Sequence, residues 1–221
     1  MSDMASITET PPRVEIRLSF DRPSHSFSQA TPPTLILSVT SKASTPLTFF
    51  TWNSPLSPRD ALTNKGITIT DAESGELVQT ASIMVQRGPL KRTKGTSDEK
   101  YFVTVHPNQT VELSTGFGRG GGTVKPQPKS VVERGLELDE NGNPRNIRRS
   151  KFATGVDGLE PGKKYTIGLN LDALKKTWWA PVDKEEILVP DSGEGSYVQD
   201  YDWEKAPLDW YVSEAVLWVD E

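Results

Sequence analysis

The sequence predicts an all-β protein folded as an antiparallel β-sandwich. Around eight short segments rich in β-branched and aromatic residues are separated by turn residues, and no long amphipathic helix pattern lies between them. The 17 Gly and 17 Pro among 221 residues indicate many turns and several long connections. A small barrel is the alternative that the pattern leaves open.

Alternation of apolar and polar residues predicts the strands of the N-terminal half. In the first, at 14–20, every second residue is apolar, as in a half-buried strand. Pro58 favours the start of a short helical turn, and the Pro-containing turn at 106–109 is expected to join two neighbouring strands at a sheet edge. The other strands are predicted over 34–40, 47–52, 66–71, 81–86, 101–105 and 110–114.

The C-terminal half begins with an insertion at 116–155. It is rich in Gly and Pro and poor in large apolar residues, so it is expected to bury little surface. A strand and a helical turn follow at 163–169 and 171–176. In the last strand, 215–219, Trp218 is predicted to face the core.

The expected organisation is a flexible N-terminus, 1–12, followed by one domain at 13–221. The domain ends in a Trp-rich acidic segment at 177–221. The chain has a formal net charge of −5, but the insertion alone carries +4 and residues 181–221 carry −10. Such an acidic end disfavours nucleic acid as a partner.

Composition also bounds the compartment and the chemistry. The chain has no cysteine, which excludes disulfides, thiolate metal sites and a cysteine nucleophile, and favours a reducing compartment. Residues 1–12 do not resemble a signal peptide, and no stretch approaches the ~20 apolar residues of a membrane helix. We therefore expect a cytoplasmic protein with no membrane partner.

Motifs for common cofactors and metals are missing from the sequence. Its two histidines, His25 and His106, form no His-Glu-x-x-His pattern. The glycine-rich stretch 118–122 is not followed by the Gly-Lys-Ser/Thr of a phosphate-binding loop. No cofactor is expected.

A cluster of basic residues lies in the most polar loop of the N-terminal half. A solvated loop is the simplest interpretation, but the cluster could also dock an acidic partner, either the protein's own C-terminal segment or a second copy. The exposed edges of a sandwich offer a further route to a homodimer. The four residues are Arg87, Lys91, Arg92 and Lys94.

Several stretches resemble uncharacterised fungal immunoglobulin-like proteins. They include Trp52-Asn53-Ser54-Pro55-Leu56 and the segments 98–107 and 158–165. The order of elements over 14–169 is also similar, more distantly, to the immunoglobulin-like N-terminal region of deuterolysin-type metallopeptidases. The insertion is longer than that family leads us to expect, and the peptidase zinc motif is missing. The resemblance implies an immunoglobulin-like β-sandwich and carries over no catalytic residue.

The tryptophans are the strongest candidates for a binding site. Five of the six lie between Trp178 and Trp218. Large flat rings with polar edges serve sugar stacking, cation recognition and protein interfaces; alternatively, they pin an irregular C-terminal segment over the sandwich. Because Trp178 and Trp179 are adjacent, only one can face inward in an extended chain, and the other is the best candidate for a ligand contact. Trp203 and Trp210 are further ligand-binding candidates.

Three carboxylates alternate at Asp200, Asp202 and Glu204. In a strand they would share one face, where they could bind a hard cation such as Ca²⁺, or where Asp202 or Glu204 could act as a catalytic acid or base. A calcium loop normally includes a glycine and carbonyl ligands, which this run lacks. Solvated charge is the simpler interpretation.

These observations lead to three functional hypotheses. The first is a non-catalytic immunoglobulin-like module that binds a protein partner or a small ligand. The second is a fungal small-molecule isomerase, cyclase or hydrolase, with a carboxylate acid/base in an aromatic pocket. The third is carbohydrate binding through exposed tryptophans. A desolvated carboxylate in a deep pocket would favour the enzyme, and a flat exposed tryptophan would favour sugar. The pocket of the second hypothesis would be formed by Trp52, Trp178, Trp179, Trp203 and Trp210.

Overall fold

The computed structural model describes residues 10–83, 86–118, 121–146, 154–191 and 193–220. Of the segment 1–12 predicted to be flexible, residues 1–9 lie outside the described residues. The strands are β1 (Arg13–Phe20), β2 (Ser24–Ser26), β3 (Thr34–Ser41), β4 (Leu47–Phe50), β5 (Ile67–Asp71), β6 (Phe102–Val105), β7 (Thr110–Gly116), β8 (Leu136–Leu138), β9 (Pro144–Asn146), β10 (Lys163–Leu169), β11 (Trp178–Ala180), β12 (Asp209–Ser213) and β13 (Ala215–Asp220). The helices are α1 (Pro58–Ala61), α2 (Lys129–Arg134), α3 (Leu171–Leu174) and α4 (Lys184–Ile187).

Two four-stranded sheets form the sandwich. One has the order β12-β1-β3-β7 and the other β2-β13-β10-β5. Pairing is antiparallel except at β1 with β12 and at β2 with β13, which run parallel. The chain end thus contributes one strand to each sheet, with Glu214 between β12 and β13. The predicted all-β sandwich class is confirmed.

The inward faces of these sheets follow the alternation in the sequence. In β1, Val14, Ile16 and Leu18 are buried and their neighbours are not. Burying such side chains stabilises the fold by about 1.5–3 kcal/mol each. The residues that the other strands add to the same core are Leu35, Leu37, Val39, Ile69, Tyr165, Ile167, Leu169, Ala215, Leu217 and Val219.

A third sheet, of order β11-β4-β6, is buried on both faces along its central strand. All four residues of β4 are buried: Leu47 and Phe49 join the sandwich core, while Phe50 joins a second apolar cluster. The hydroxyl of the buried Thr48 keeps its hydrogen bonds, which compensates the loss of hydration. It bonds the Thr104 hydroxyl at 2.8 Å and donates to the carbonyl oxygen of Val182 at 2.7 Å. β6 adds Phe102 to this second cluster, and the C-terminal segment supplies Ala180, Ile187, Leu188 and Val198.

Two local predictions are wrong. β6 pairs with β4, and β7 pairs with β3, so the turn at 106–109 carries the chain between sheets and joins no pair at an edge. Residues 81–83 of the predicted strand 81–86 form no strand, because the Ala81 N–H donates to the Asp157 carboxylate at 2.8 Å and to no neighbouring strand. Residues 84 and 85 lie outside the described residues.

The predicted orientation of Trp218 is also wrong. Its side chain is 46% exposed, while Ala215, Leu217 and Val219 point into the core. All five residues from 215 to 219 are apolar. Alternation therefore allows either face to point inward, and pairing of β13 with β10 selects the face opposite to the predicted one.

The insertion forms short elements of its own within the described residues. It contains α2 and the β8–β9 hairpin, and Leu136 and Leu138 remain exposed. Residues 119–120 and 147–153 lie outside the described residues. None of the helices in the described part of the chain has the length and apolar character needed to cross a bilayer.

Candidate functional site

A row of aromatic rings lies on the outward face of the third sheet. β11, β4 and β6 place Trp178, Phe50 and Phe102 side by side in register. The ring centroids are 6.0 Å apart between Trp178 and Phe50, and 5.3 Å between Phe50 and Phe102. These separations are typical of favourable aromatic pairs.

Trp203 covers this row. Its centroid lies 6.0 Å from Trp178, 6.1 Å from Phe50 and 6.2 Å from Phe102. Its indole N–H donates to the carbonyl oxygen of Val198 at 2.8 Å. Trp203 therefore anchors the C-terminal segment, as in the alternative in which the tryptophans pin that segment over the sandwich.

The two adjacent tryptophans face opposite ways, as expected in a strand. Trp179 is 6% exposed, packs in the sandwich core and donates its indole N–H to the carbonyl oxygen of Ala206 at 3.2 Å. Trp178 is 45% exposed. Trp210 is half-buried against the core, with its ring 5.7 Å from that of Phe49. Of the four predicted tryptophans, Trp178 has the largest exposed fraction and therefore offers the most ring surface to a ligand.

Trp178 and Trp52 wall a cleft of about 270 Å³, here called the tryptophan cleft. One side is the turn after β4, and the other is the connection from α3 to β11. None of its described lining residues is acidic. The lining consists of Phe50, Trp52, Asn53, Ser54, Ala173, Lys176, Thr177 and Trp178.

Hydrogen bonds hold the two sides of the tryptophan cleft together. The buried hydroxyls of Ser54 and Thr177 lie 2.6 Å apart, and Ser54 Oγ also accepts the N–H of Leu56 at 3.2 Å. Asn53 adopts a left-handed φ of 55°, which turns the chain sharply after Trp52. These contacts fix the separation of the walls.

A second set of contacts holds the Trp52 ring in position. The Arg87 guanidinium lies 5.6 Å from the centre of its ring, and the Tyr101 ring meets it edge-on at 5.0 Å. Arg87 is in turn ion-paired with the buried carboxylate of Asp98. The Trp52 ring is thus positioned before any ligand arrives.

The acidic run does not form the predicted shared face. Residues 198–200 are a 3-10 turn, in which Asp200 accepts the N–H of Tyr197 at 3.1 Å. Glu204 accepts the N–H groups of Ala206 and Lys205 at 2.9 and 2.8 Å, and these bonds lower its pKa. Asp202 is exposed. Within the part of the chain that the structure describes, no three His, Cys, Asp or Glu side chains are grouped to hold a metal ion.

The basic loop docks onto the protein's own C-terminal segment, one of the two partners considered for it. Arg92 donates to the carbonyl oxygen of Gly195 at 2.8 and 3.2 Å and to that of Ile187 at 2.5 Å. Its guanidinium also lies 5.7 Å from the Tyr201 ring centre. Lys94 forms an exposed ion pair with Glu185 at 2.5 Å.

Sequence reasoning missed Lys176 and Asn53 as members of the site. Both are ordinary polar residues in turns, and only the packing of α3 against the turn after β4 brings them together. Trp52 had entered the prediction only as part of a broad aromatic pocket. The signal that could have been found is the Trp52-Asn53 pair at the end of the predicted strand 47–52, where exposed side chains are expected.

Comparison with models of known protein families gives no match, and comparison with curated protein sequences gives none either. The functional assignment therefore rests on the geometry of the tryptophan cleft.

Proposed function

We propose that this protein is a non-catalytic immunoglobulin-like binding module whose small ligand occupies the tryptophan cleft. The observation that carries the proposal is the pairing of an exposed Trp178 with a pre-positioned Trp52 around one cavity. The resemblance over 14–169 and the sandwich core support the immunoglobulin-like architecture, and the lack of cysteine supports a cytoplasmic location.

The size and lining of the cleft indicate the kind of ligand. A cavity of about 270 Å³ is slightly smaller than the usual range for drug-sized ligands, so it suits one ring system with few substituents. Tryptophan faces stack on flat rings. Asn53 and Lys176 supply hydrogen-bond donors at the rim.

The carboxylates favour binding over catalysis. Neither Asp202 nor Glu204 lines the cleft, and the lowered pKa of Glu204 keeps it ionised at neutral pH, which makes it a poor general acid. Burial raises the pKa of Asp157, but this carboxylate accepts the Ala81 N–H and is not part of the cleft lining.

A matched pair of variants tests the proposal. Trp178→Ala is expected to weaken binding of compounds with one flat ring system, such as indole-3-acetamide, by about tenfold, since loss of ring stacking costs about 1–3 kcal/mol. Trp218→Ala is the control, because Trp218 is equally exposed, at 46% against 45%, but lies on another sheet. Isothermal titration calorimetry measures both affinities, and circular dichroism checks the fold. Equal affinities of the two variants would contradict the proposal.

Carbohydrate binding is a second candidate function, and the exposed Trp218 favours it. The outward row of the second sheet places Trp218 beside Lys164 and Val216 beside Thr166, so an exposed aromatic ring lies among polar and small apolar side chains. The same two variants separate the candidates. Retention on insoluble polysaccharide that is lost in Trp218→Ala and kept in Trp178→Ala would favour this surface over the cleft.

A further inference from the structure

Lys176 is the one cationic side chain among the described residues that line the tryptophan cleft, and no described neighbour neutralises its charge. Lys175, next to it, is paired with Asp172 at 3.9 Å. The Lys176 ammonium has no ion pair or hydrogen bond among the described residues, although the chain carries 30 Asp and Glu. An unpaired cation at the mouth of an apolar cavity attracts an anionic group on a ligand.

The other polar groups of the cleft do not compensate this charge. The Ser54 and Thr177 hydroxyls are bonded to each other, and both residues are buried. Asn53 is exposed, and its side-chain amide makes no hydrogen bond within the described part of the chain. Among the described side chains of the cleft, the groups free to meet a ligand are therefore the Lys176 ammonium, the Asn53 amide and the indole N–H groups of Trp52 and Trp178, all able to donate hydrogen bonds.

The sign of this charge decides between two classes of ligand that tryptophans recognise. Tryptophan faces attract organic cations, and sites for such ligands commonly surround them with aromatic rings. Here the exposed Lys176 ammonium would repel a cation, because like charges destabilise each other. An anionic ring compound gains both the contact with the tryptophan rings and the attraction of the Lys176 ammonium.

We infer that the ligand of the tryptophan cleft is a flat ring that carries a carboxylate, with the ring against Trp178 and the carboxylate on Lys176. This inference rests on the proposed function, because it concerns the same cavity. It adds the charge of the ligand, which the aromatic walls alone do not determine.

The test compares three probes that share the indole ring system and differ in charge. Isothermal titration calorimetry on the full chain at neutral pH measures indole-3-acetate, indole-3-acetamide and tryptamine. The acetate is expected to bind about fivefold more tightly than the amide, as for a partly exposed ion pair worth about 1 kcal/mol. Tryptamine is expected to bind most weakly, and the preference for the acetate should shrink at high salt.

Lys176→Gln is the informative variant, and Lys175→Gln is its matched control. The first should bring the affinity for the acetate to within twofold of that for the amide. The second should keep the preference, because Lys175 is already paired with Asp172. Amide and acetate binding equally to the unmodified chain would overturn the anion inference and leave the proposed cleft standing. Failure of all three probes to bind would contradict the proposed function as well.

Discussion

His25 packs in the core as an aromatic ring, and its imidazole can also bind a proton. It is 1% exposed, lies 4.8 Å from the Phe27 ring and 6.2 Å from that of Phe117, and its ring nitrogens have no hydrogen-bond partner among the described residues. Burial, and after it the positive charge of Arg22, lower its pKa to about 4, while Asp220 opposes this shift. The folded state therefore holds His25 neutral at neutral pH.

This pKa predicts a loss of stability in mild acid. A histidine with a pKa of about 4 when folded and 6.5 when unfolded stabilises the fold fully above pH 6.5. That contribution is lost as the pH falls from 6.5 to 4 and amounts to at most about 3 kcal/mol. His25→Phe, with a ring of similar size, should lose less unfolding free energy than the unmodified chain between pH 7 and pH 4.5. Urea titrations at the two pH values measure the difference, and parallel losses would exclude this role for His25.

The tryptophans show which side-chain orientations the local sequence pattern can predict and which it cannot. For Trp178 and Trp179, alternation required opposite faces, and the structure places them so. The exposed position of Trp178 was decided by pairing with β4, not by the local sequence. For Trp218 the prediction failed because its neighbours on both sides are apolar, so the sequence contains no polar face to mark the outside.

At the scale of elements, the basic loop and the C-terminal segment form one unit. Arg92 donates to two carbonyl oxygens of that segment, and backbone bridges join Lys91 to Tyr197 and Thr93 to Val189. Hydrogen bonds from a charged donor to otherwise unpaired carbonyls stabilise by about 1.5–3 kcal/mol. The basic loop therefore holds in place residues 187–198, which cover the third sheet and are called the cover below.

Arg92→Ala is expected to loosen this cover without unfolding the sandwich. Loss of its bonds, at about 2 kcal/mol, should speed amide hydrogen exchange over 187–198 by roughly thirtyfold. Lys94→Ala is the control, because its ion pair with Glu185 is exposed and worth at most about 1 kcal/mol. Exchange measured by mass spectrometry should show protection of β1 and β3 unchanged in both variants. The same rates over 187–198 in both variants would show that Arg92 does not secure the cover.

Element existence was predictable where alternation or proline chemistry is strong. β1, β3 and β10 were predicted close to their observed bounds, and the start of α1 at Pro58 was predicted as well. β11 and β12 were missed because β11 has three residues and both strands depend on partners far away in the sequence. Short strands with distant partners carry little local signal.

At the scale of the molecule, a three-stranded sheet lies between the sandwich core and the C-terminal segment. The main sandwich followed from composition and pattern, since local alternation and turns suffice to indicate it. The tryptophan cleft did not. Its walls come from the turn 52–54 and the connection 173–178, which meet because the Ser54 and Thr177 hydroxyls bond and because β11 pairs with β4.

The tryptophan cleft as ligand site is tested most directly by the indole N–H signals of the six tryptophans. We expect a ¹⁵N-labelled chain titrated with indole-3-acetate to show shifts of the Trp52 and Trp178 signals, which single tryptophan-to-phenylalanine variants assign. The signals of Trp179 and Trp203 should stay in place, because their N–H groups are bonded to backbone carbonyls inside the fold. Shifts confined to Trp218, with Trp52 and Trp178 unchanged, would contradict the cleft as the binding site.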